Sequence, residues 1–156
     1  MVDPLSPVRV SREVSADGER AFAVFTDAFG TWWPQEYTWS GDVLEAIGLG
    51  SGPGALCHER GPHGFTCHWG RITVWDPPTR IAFTWQIGPG REPVPDPERA
   101  THVGVTFSAI DGGRTRVSLE HAGFERHGAA GGDYRDALAS EHGWPLILAR
   151  YATALG

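Results

Sequence analysis

The stretch Gly70-Arg71-Ile72-Thr73-Val74-Trp75-Asp76-Pro77-Pro78-Thr79-Arg80-Ile81-Ala82-Phe83-Thr84-Trp85 decides the fold of this chain. It consists of two segments rich in apolar and β-branched residues, separated by a Pro-Pro corner, which is typical of two strands. Proline fixes its own φ and moves the preceding residue out of the helical region, so the chain turns sharply at residues 76–78. The stretch therefore predicts two consecutive antiparallel strands.

Alternating apolar residues and turn signals predict further strands on both sides of this stretch. Val8, Val10 and Val14 alternate with polar residues, and residues 111–114 read as the turn of a hairpin. The predicted strands cover residues 8–14, 43–47, 55–60, 65–75, 80–87, 101–110 and 115–122.

Helical spacing of apolar residues appears near both ends of the chain. Ser15 is a candidate N-cap for a first helix, and Thr31-Trp32-Trp33-Pro34 reads as a short second helix or turn. Residues 134–155 predict a long helix with an interruption at Gly143 and a main part that begins at Trp144. Residues 88–100 and 123–133 read as an irregular loop and a loose segment.

The predicted order is β-α-α-β-β-β-β-β-β-α. Strands that follow one another at short spacing favour an antiparallel sheet over a parallel α/β fold. The long C-terminal helix has to bury its apolar stripe against that sheet. We therefore predict an α+β, helix-grip arrangement: an antiparallel sheet of about six to seven strands around a long C-terminal helix, with two short helices after the first strand. Residues 1–156 are expected to form a single domain.

The composition is that of a globular protein with an unusual aromatic content. The 156 residues are 40% hydrophobic and 21% charged, and they include seven Trp and seven Phe. This predicts a large aromatic interior or an aromatic-lined cavity. The net charge of −6 argues against a nucleic-acid partner. All thirteen basic residues are Arg, which excludes a lysine Schiff base.

The sequence gives no indication of membrane insertion. No apolar run approaches the roughly 20 residues that a spanning helix requires. Met1-Val2-Asp3-Pro4-Leu5 does not have the pattern of a signal peptide, so a cytoplasmic location is expected. Cys57 and Cys67 are then expected to be reduced and to be buried, inert thiols.

Several motifs resemble one known family. These are Pro77-Pro78-x-Arg80-Ile81-x-Phe83-Thr84-Trp85, Ala21-Phe22-x-x-Phe25-Thr26 followed by Trp32-Trp33, Gly112-Gly113-x-Thr115-Arg116-Val117, and Gly143-Trp144. Together they resemble the activator of heat-shock-protein-90 ATPase homologue-like family. That family lies within the START-related (SRPBCC, Bet v-type) superfamily, and the resemblance covers nearly the whole chain.

The resemblance implies a START/Bet v-like fold with an internal cavity rather than one reaction. It implies binding of a hydrophobic or aromatic small molecule, such as a lipid or a polyketide-like metabolite. Superfamily relatives that are polyketide cyclases and aromatases imply the alternative of an enzyme. A third alternative is a partner protein that stimulates a chaperone ATPase; eukaryotic co-chaperones of this family carry an additional N-terminal domain for which 156 residues leave no room.

Alternation assigns the residues that should face such a cavity. Inward-facing residues of the predicted strands, together with the last helix, give a candidate ligand site. It comprises His68, Phe83, Trp85, Val105, Phe107, His121 and Trp144. The alternative is an ordinary core with two hydrogen-bonded histidines.

His68, His121 and Glu120 are the candidates for acid–base chemistry, and the two histidines are the groups that an enzyme would use. No G-x-S-x-G elbow or P-loop lysine is present, which disfavours a serine hydrolase and a nucleotide-binding loop.

Three histidines at equal spacing raise the question of a metal site. His58, His63 and His68 fall on a strand, a loop and a strand of one hairpin, where three ligands do not converge easily. We expect neither a metal nor another cofactor.

Two further expectations concern the surface. Trp32 and Trp33 are expected to pack beneath the sheet, whereas Trp39 is the better candidate for an exposed aromatic at the cavity mouth. The edge strands predicted at residues 8–14 and 43–47 leave a homodimer open.

Overall fold

The structure is a computed structural model that describes residues 6–156. Residues 1–5, on which the expectation about a signal peptide rests, lie outside the described residues. The strands are β1 Val8–Val14, β2 Ala46–Gly48, β3 Leu56–Arg60, β4 Thr66–Asp76, β5 Arg80–Trp85, β6 Thr101–Ile110 and β7 Arg114–Ala122. The helices are α1 Gly18–Thr26, α2 Phe29–Trp32, α3 Gly131–Ala139 and α4 Trp144–Ala154.

The strands form one antiparallel sheet in the order β1-β7-β6-β5-β4-β3-β2. The sheet curls around the C-terminal helices, which is the helix-grip fold predicted from the sequence. In the part of the chain that the structure describes, no helix is long and apolar enough to cross a membrane.

The four strands β1, β7, β6 and β5 follow the predicted alternation. Ile81 pairs with Val105, and Val105 pairs with Leu119 on its other side. All three side chains are buried, while their neighbours along each strand are more exposed. The predicted inward faces of β5, β6 and β7 are therefore confirmed.

Strand β4 departs from this alternation at two positions. Cys57 pairs with Gly70 but His58 pairs with His68, so Trp69 is an extra residue on β4. Thr73 is a second extra residue, because Ile72 pairs with Phe83 and Val74 with Ala82. Each extra residue exchanges the inward and outward faces of the strand beyond it. Uninterrupted alternation along β4, which underlies the inward assignment of His68, would place His68, Gly70, Ile72 and Val74 on one face, and the two extra residues show that this assignment is wrong.

The N-cap of helix α1 lies two residues after the predicted cap. Asp17, not Ser15, is the N-cap, and its carboxylate accepts a hydrogen bond of 2.9 Å from the backbone N–H of Arg20. The helix buries Phe22 and Phe25 edge-on against Phe107, with ring centroids 5.3 and 5.8 Å apart. This contact attaches the helix to the concave face of the sheet.

The predicted break in the C-terminal helix is confirmed at Gly143. A Cβ at this position would lie 2.2 Å from the carbonyl oxygen of Leu138, so only glycine fits where the chain turns from α3 into α4. Helix α3 begins at Gly131 rather than at residue 134. Part of the segment predicted to be loose is therefore ordered, because Phe124 is fully buried and anchors it.

Candidate functional site

The inner cavity lies between the concave face of the sheet, the corner from α3 to α4, and the loop after β5. Its volume is about 410 Å³. Its main wall residues come from widely separated parts of the chain: Trp33, Tyr37, Trp39, Glu59, Trp69, Trp85, Arg91 and Tyr134. A volume of this size is within the range of small-molecule pockets, about 300–1,000 Å³.

Three tryptophans form the floor and sides of the inner cavity. Trp33 and Trp69 are nearly parallel, with ring centroids 6.3 Å apart and an interplanar angle of 20°. Trp85 stands against both rings at 6.0 and 5.8 Å, tilted by 52° and 70°. Phe29 stacks beneath Trp33 and Trp69 at 4.8 and 5.7 Å. The walls therefore present rigid π-faces and edges to any molecule inside.

Tyr134 joins the roof of the cavity to its side wall. Its hydroxyl donates to the backbone carbonyl of Ile87 at 2.8 Å and accepts from the indole N–H of Trp85 at 2.7 Å. Burial raises the pKa of this phenol, so it stays protonated and keeps its donor. The two bonds fix the orientation of the Trp85 ring.

The mouth of the cavity is bridged by residues from two loops. The guanidinium of Arg91 donates to the carbonyl oxygens of Tyr37 and Thr38 at 2.8 and 3.0 Å. In return, the indole N–H of Trp39 donates to the carbonyl oxygen of Arg91 at 2.7 Å. Trp39, expected to be an exposed aromatic, is therefore half-buried in this bridge.

The comparisons with known proteins agree with this fold. The sequence profile of the family described as Activator of Hsp90 ATPase homolog 1-like protein matches residues 15–156. The chain belongs to this family. No sequence among the curated proteins matches it.

Two solved structures resemble this member of the Activator of Hsp90 ATPase homolog 1-like family along nearly its whole length. One is an anthrahydroquino-gamma-pyrone synthase, Txn09, complexed with SUM. Its sequence is 34% identical, the two structures superpose with a TM-score of 0.66, and the match covers 98% of this chain and 99% of that one. The other is CalC, a self-sacrificing resistance protein from Micromonospora echinospora: 30% identity, TM-score 0.67, coverage 96% and 94%.

A more distant structure shares the fold alone. Protein NE0264 from Nitrosomonas europaea is 16% identical, with a TM-score of 0.67 and coverage of 99% of this chain and 96% of that one.

Of the seven residues predicted to form the ligand site, Trp85 alone lines the cavity. Phe83, His121 and Trp144 lie in the layer behind the wall: Phe83 contacts Trp69, and the other two contact Trp85. Val105 and Phe107 are buried in the core beside α1, outside the cavity lining. His68 is exposed on the outer face of the sheet, so its predicted inward position is wrong, because the extra residue Trp69 reverses the alternation.

His121 in this family member is a structural histidine, fully buried with both ring nitrogens in use. Its Nδ1 accepts from the indole N–H of Trp144 at 3.0 Å, which leaves the proton of the neutral ring on Nε2. Nε2 lies 2.6 Å from the hydroxyl of Thr101, so it donates to that oxygen. Burial lowers the pKa of His121 to about 3. The ring is therefore neutral and closed off from the cavity.

Glu59 is a cavity residue that alternation alone did not single out. It is 1% exposed, and its carboxylate accepts from the backbone N–H and the hydroxyl of Ser40, each at 2.8 Å, and from the N–H of Trp39 at 3.2 Å. Its position inside the hairpin of β3 and β4 was visible in the sequence. Its burial was not, because a glutamate on a short strand is usually exposed.

The histidine and cysteine side chains do not come together as a metal site. Within residues 6–156, no group of three or more His, Cys, Asp or Glu side chains is placed to hold a metal ion. Cys57 and Cys67 are not cross-strand partners, since Cys57 pairs with Gly70 and Cys67 with Glu59. Cys57 is buried, whereas Cys67 is half-buried, so the expectation of two buried thiols is correct for Cys57 only.

A second, larger depression lies outside the sheet, between α2, α4 and β2. Its volume is about 1,150 Å³, and charged residues such as Asp27, Glu36 and Arg150 line it. It is an open groove with few aromatic walls. The inner cavity, less open and lined by aromatic rings, is the better candidate for a ligand site.

Proposed function

We propose that this protein binds a planar aromatic small molecule in the inner cavity. The observation that carries the proposal is the set of three tryptophan rings, Trp33, Trp69 and Trp85, around a space of about 410 Å³. Offset and edge-on contacts between aromatic rings favour a flat conjugated ligand over a flexible acyl chain. A fused polyketide-like ring system therefore suits these walls better than a lipid does.

The similarity to Txn09 supports the same ligand class. That protein is named as a synthase of an anthrahydroquino-gamma-pyrone, a fused aromatic product, and the similarity extends over 98% of this chain. At 34% identity and a TM-score of 0.66 the two chains share a fold. We infer a related ring system as the ligand here, without assigning the same compound.

Titration with 2-methoxyanthraquinone, followed by tryptophan fluorescence, tests the proposal. The ring should quench the emission of the cavity tryptophans and bind with a stoichiometry of one. Ala137→Trp should abolish binding, because Ala137 is exposed on α3 and also lines the cavity, so a larger side chain occupies the ligand space. Ala109→Trp, at an exposed position of β6 outside the cavity, is the matched control. Equal binding by both variants would refute the location.

A catalytic role in ring closure is the second candidate, and the similarity to a synthase favours it. A cavity holds a reactive chain in one geometry, which by itself accelerates cyclisation. The histidines expected to move protons do not reach this cavity. Incubation with the substrate of Txn09 tests the role, with product formation as the readout. Full turnover by His68→Ala and His121→Gln variants would establish that neither histidine takes part.

The partner-protein alternative follows from the family's name. Its test does not involve the cavity. The ATPase rate of Hsp90 is measured with and without this protein. An unchanged rate would eliminate this alternative, whereas stimulation by both wild-type and Ala137→Trp protein would assign a partner role that does not need the cavity.

A further inference from the structure

One wall of the inner cavity carries a buried carboxylate with spare acceptor capacity. Both Ser40 donors bind Oε2 of Glu59, whereas Oε1 accepts one longer bond, from the N–H of Trp39 at 3.2 Å. A carboxylate has about four acceptor positions. In the described part of the chain, no arginine or histidine forms an ion pair with it. Oε1 therefore keeps acceptor capacity, on a residue that lines the cavity.

The same wall carries a buried donor. Trp69 is 2% exposed and lines the cavity, and among the residues that the structure describes its indole N–H has no hydrogen-bond partner. Contacts with Phe29, Trp33 and Phe83 hold the ring in place. Buried polar groups in native proteins are nearly always hydrogen-bonded, so the unpaired N–H of a residue that lines the cavity is a candidate donor to a ligand.

Donor and acceptor lie on neighbouring strands. Glu59 is on β3 and Trp69 on β4. Cys67 pairs with Glu59, and Trp69 lies two residues after Cys67 on the same side of the strand, so Trp69 and Glu59 both face the concave side. Alternation along β4 therefore brings the donor and the acceptor to one wall.

We propose that Glu59 and Trp69 select aromatic ligands that carry both a hydroxyl and a carbonyl group. The hydroxyl donates to Oε1 of Glu59, and the indole N–H of Trp69 donates to the carbonyl oxygen. Oε1 of Glu59 accepts a single bond of 3.2 Å and keeps most of its acceptor capacity, so we expect the hydroxyl to contribute most of the selectivity. This inference rests on the proposed function, because it assumes that the ring binds in the inner cavity.

Three probes that share one ring framework test it: 2-hydroxyanthraquinone, 2-methoxyanthraquinone and 2-hydroxyanthracene. Wild-type protein should bind 2-hydroxyanthraquinone most tightly, by roughly tenfold over 2-methoxyanthraquinone, which cannot donate, and by roughly fivefold over 2-hydroxyanthracene, which lacks the carbonyls. Dissociation constants from fluorescence titration give the ratios.

For each variant, the probe that lacks the relevant group controls for a general loss of folding or binding. Glu59→Gln should weaken 2-hydroxyanthraquinone more than 2-methoxyanthraquinone, because only the first probe donates a hydrogen bond to residue 59. Trp69→Phe removes the N–H and part of the wall, so it should weaken both anthraquinones more than 2-hydroxyanthracene, which has no carbonyl group to accept from residue 69. Ser40→Ala removes one of the bonds that orient Glu59 while retaining the carboxylate, and should keep the preference for the hydroxyl.

The outcomes separate this inference from the proposed function. Equal binding of all three probes by wild-type protein, or equal losses for all probes in both variants, would overturn the selection by Glu59 and Trp69 while aromatic binding stands. No binding of any probe would overturn the proposed function and this inference with it.

Discussion

The indole N–H of Trp144 donates to Nδ1 of His121 over 3.0 Å, at the point where α4 begins behind the cavity wall. This bond fixes the tautomer of His121, because Nδ1 has to remain an acceptor. Protonation of Nδ1 would place two donors against each other in a buried space. The pair therefore joins the helix to β7 only while the histidine is neutral.

Lowering the pH should destabilise the protein through His121. The unfolded chain takes up a proton near the ordinary pKa of 6.5, whereas the folded chain keeps His121 neutral until about pH 3. Stability is therefore complete above pH 6.5 and falls as the pH decreases from there towards 3, by about 1.4 kcal/mol per pH unit for this one group. Denaturant unfolding at several pH values measures the slope.

The matched variant for this prediction is His121→Gln. Burial also lowers the pKa of His58, His102 and His127, which contribute to the slope with the same sign. The difference between wild type and variant isolates His121. An identical slope in both proteins would show that His121 is charged, or accessible to protons, in the folded state.

Gly143→Ala should destabilise the fold. Its Cβ would lie 2.2 Å from the carbonyl oxygen of Leu138, which is backbone and cannot move aside without opening the corner between α3 and α4. We expect a loss of about 1–3 kcal/mol, the usual range for overpacking. Gly132→Ala is the control, since nothing lies within 4 Å of its Cβ and alanine favours helix α3. Thermal unfolding compares the two variants with the wild-type protein. Equal melting temperatures for Gly143→Ala and Gly132→Ala would contradict the steric argument.

Arg91→Ala should speed the release of a bound ring. The substitution removes both side-chain bonds that hold the loop after β5 against Tyr37 and Thr38, while the tryptophan walls are unchanged. We expect the dissociation rate of 2-methoxyanthraquinone to rise by about fivefold or more, since two hydrogen bonds together contribute about 1–3 kcal/mol. Stopped-flow fluorescence measures it. Arg99→Ala, in the same loop but outside the cavity lining, should release the ring at the wild-type rate.

The two thiols should differ in reactivity. Burial raises the pKa of Cys57 to about 12, so almost no thiolate exists at pH 8 and alkylating reagents do not reach the sulfur. Cys67 is half-buried, and its pKa is raised less. Iodoacetamide should modify Cys67 slowly in the native protein and Cys57 only after unfolding, as peptide mass spectrometry will show. Faster modification of Cys57 would contradict the described packing of β3.

The fold was largely predictable because its signals are local. Pro77 and Pro78 indicate the corner between β4 and β5 by their own geometry, and the apolar residues on both sides indicate strands. Gly143 indicates the break between α3 and α4, because glycine interrupts a helix locally. The cap of α1 was misplaced from Asp17 to Ser15 because both residue types cap helices, and only the backbone conformation separates them.

The candidate site was predictable only in part. Trp85 follows directly from the alternation of β5, and it lines the cavity. His68 was assigned to the wrong face because the alternation of β4 was extended through Trp69 without a bulge. Nothing in the residues themselves reports an extra residue in one strand, since its position depends on the pairing with β3.

The sequence by itself determined the order of the elements, the antiparallel sheet and the position of the helix break, because turn residues and periodicity act over a few neighbouring residues. Only the tertiary structure decided which rings surround the cavity. Trp33, Trp69 and Tyr134 meet there from the residue after helix α2, a bulged strand and helix α3, which are far apart in the chain. Their meeting depends on long-range packing, which no local pattern encodes.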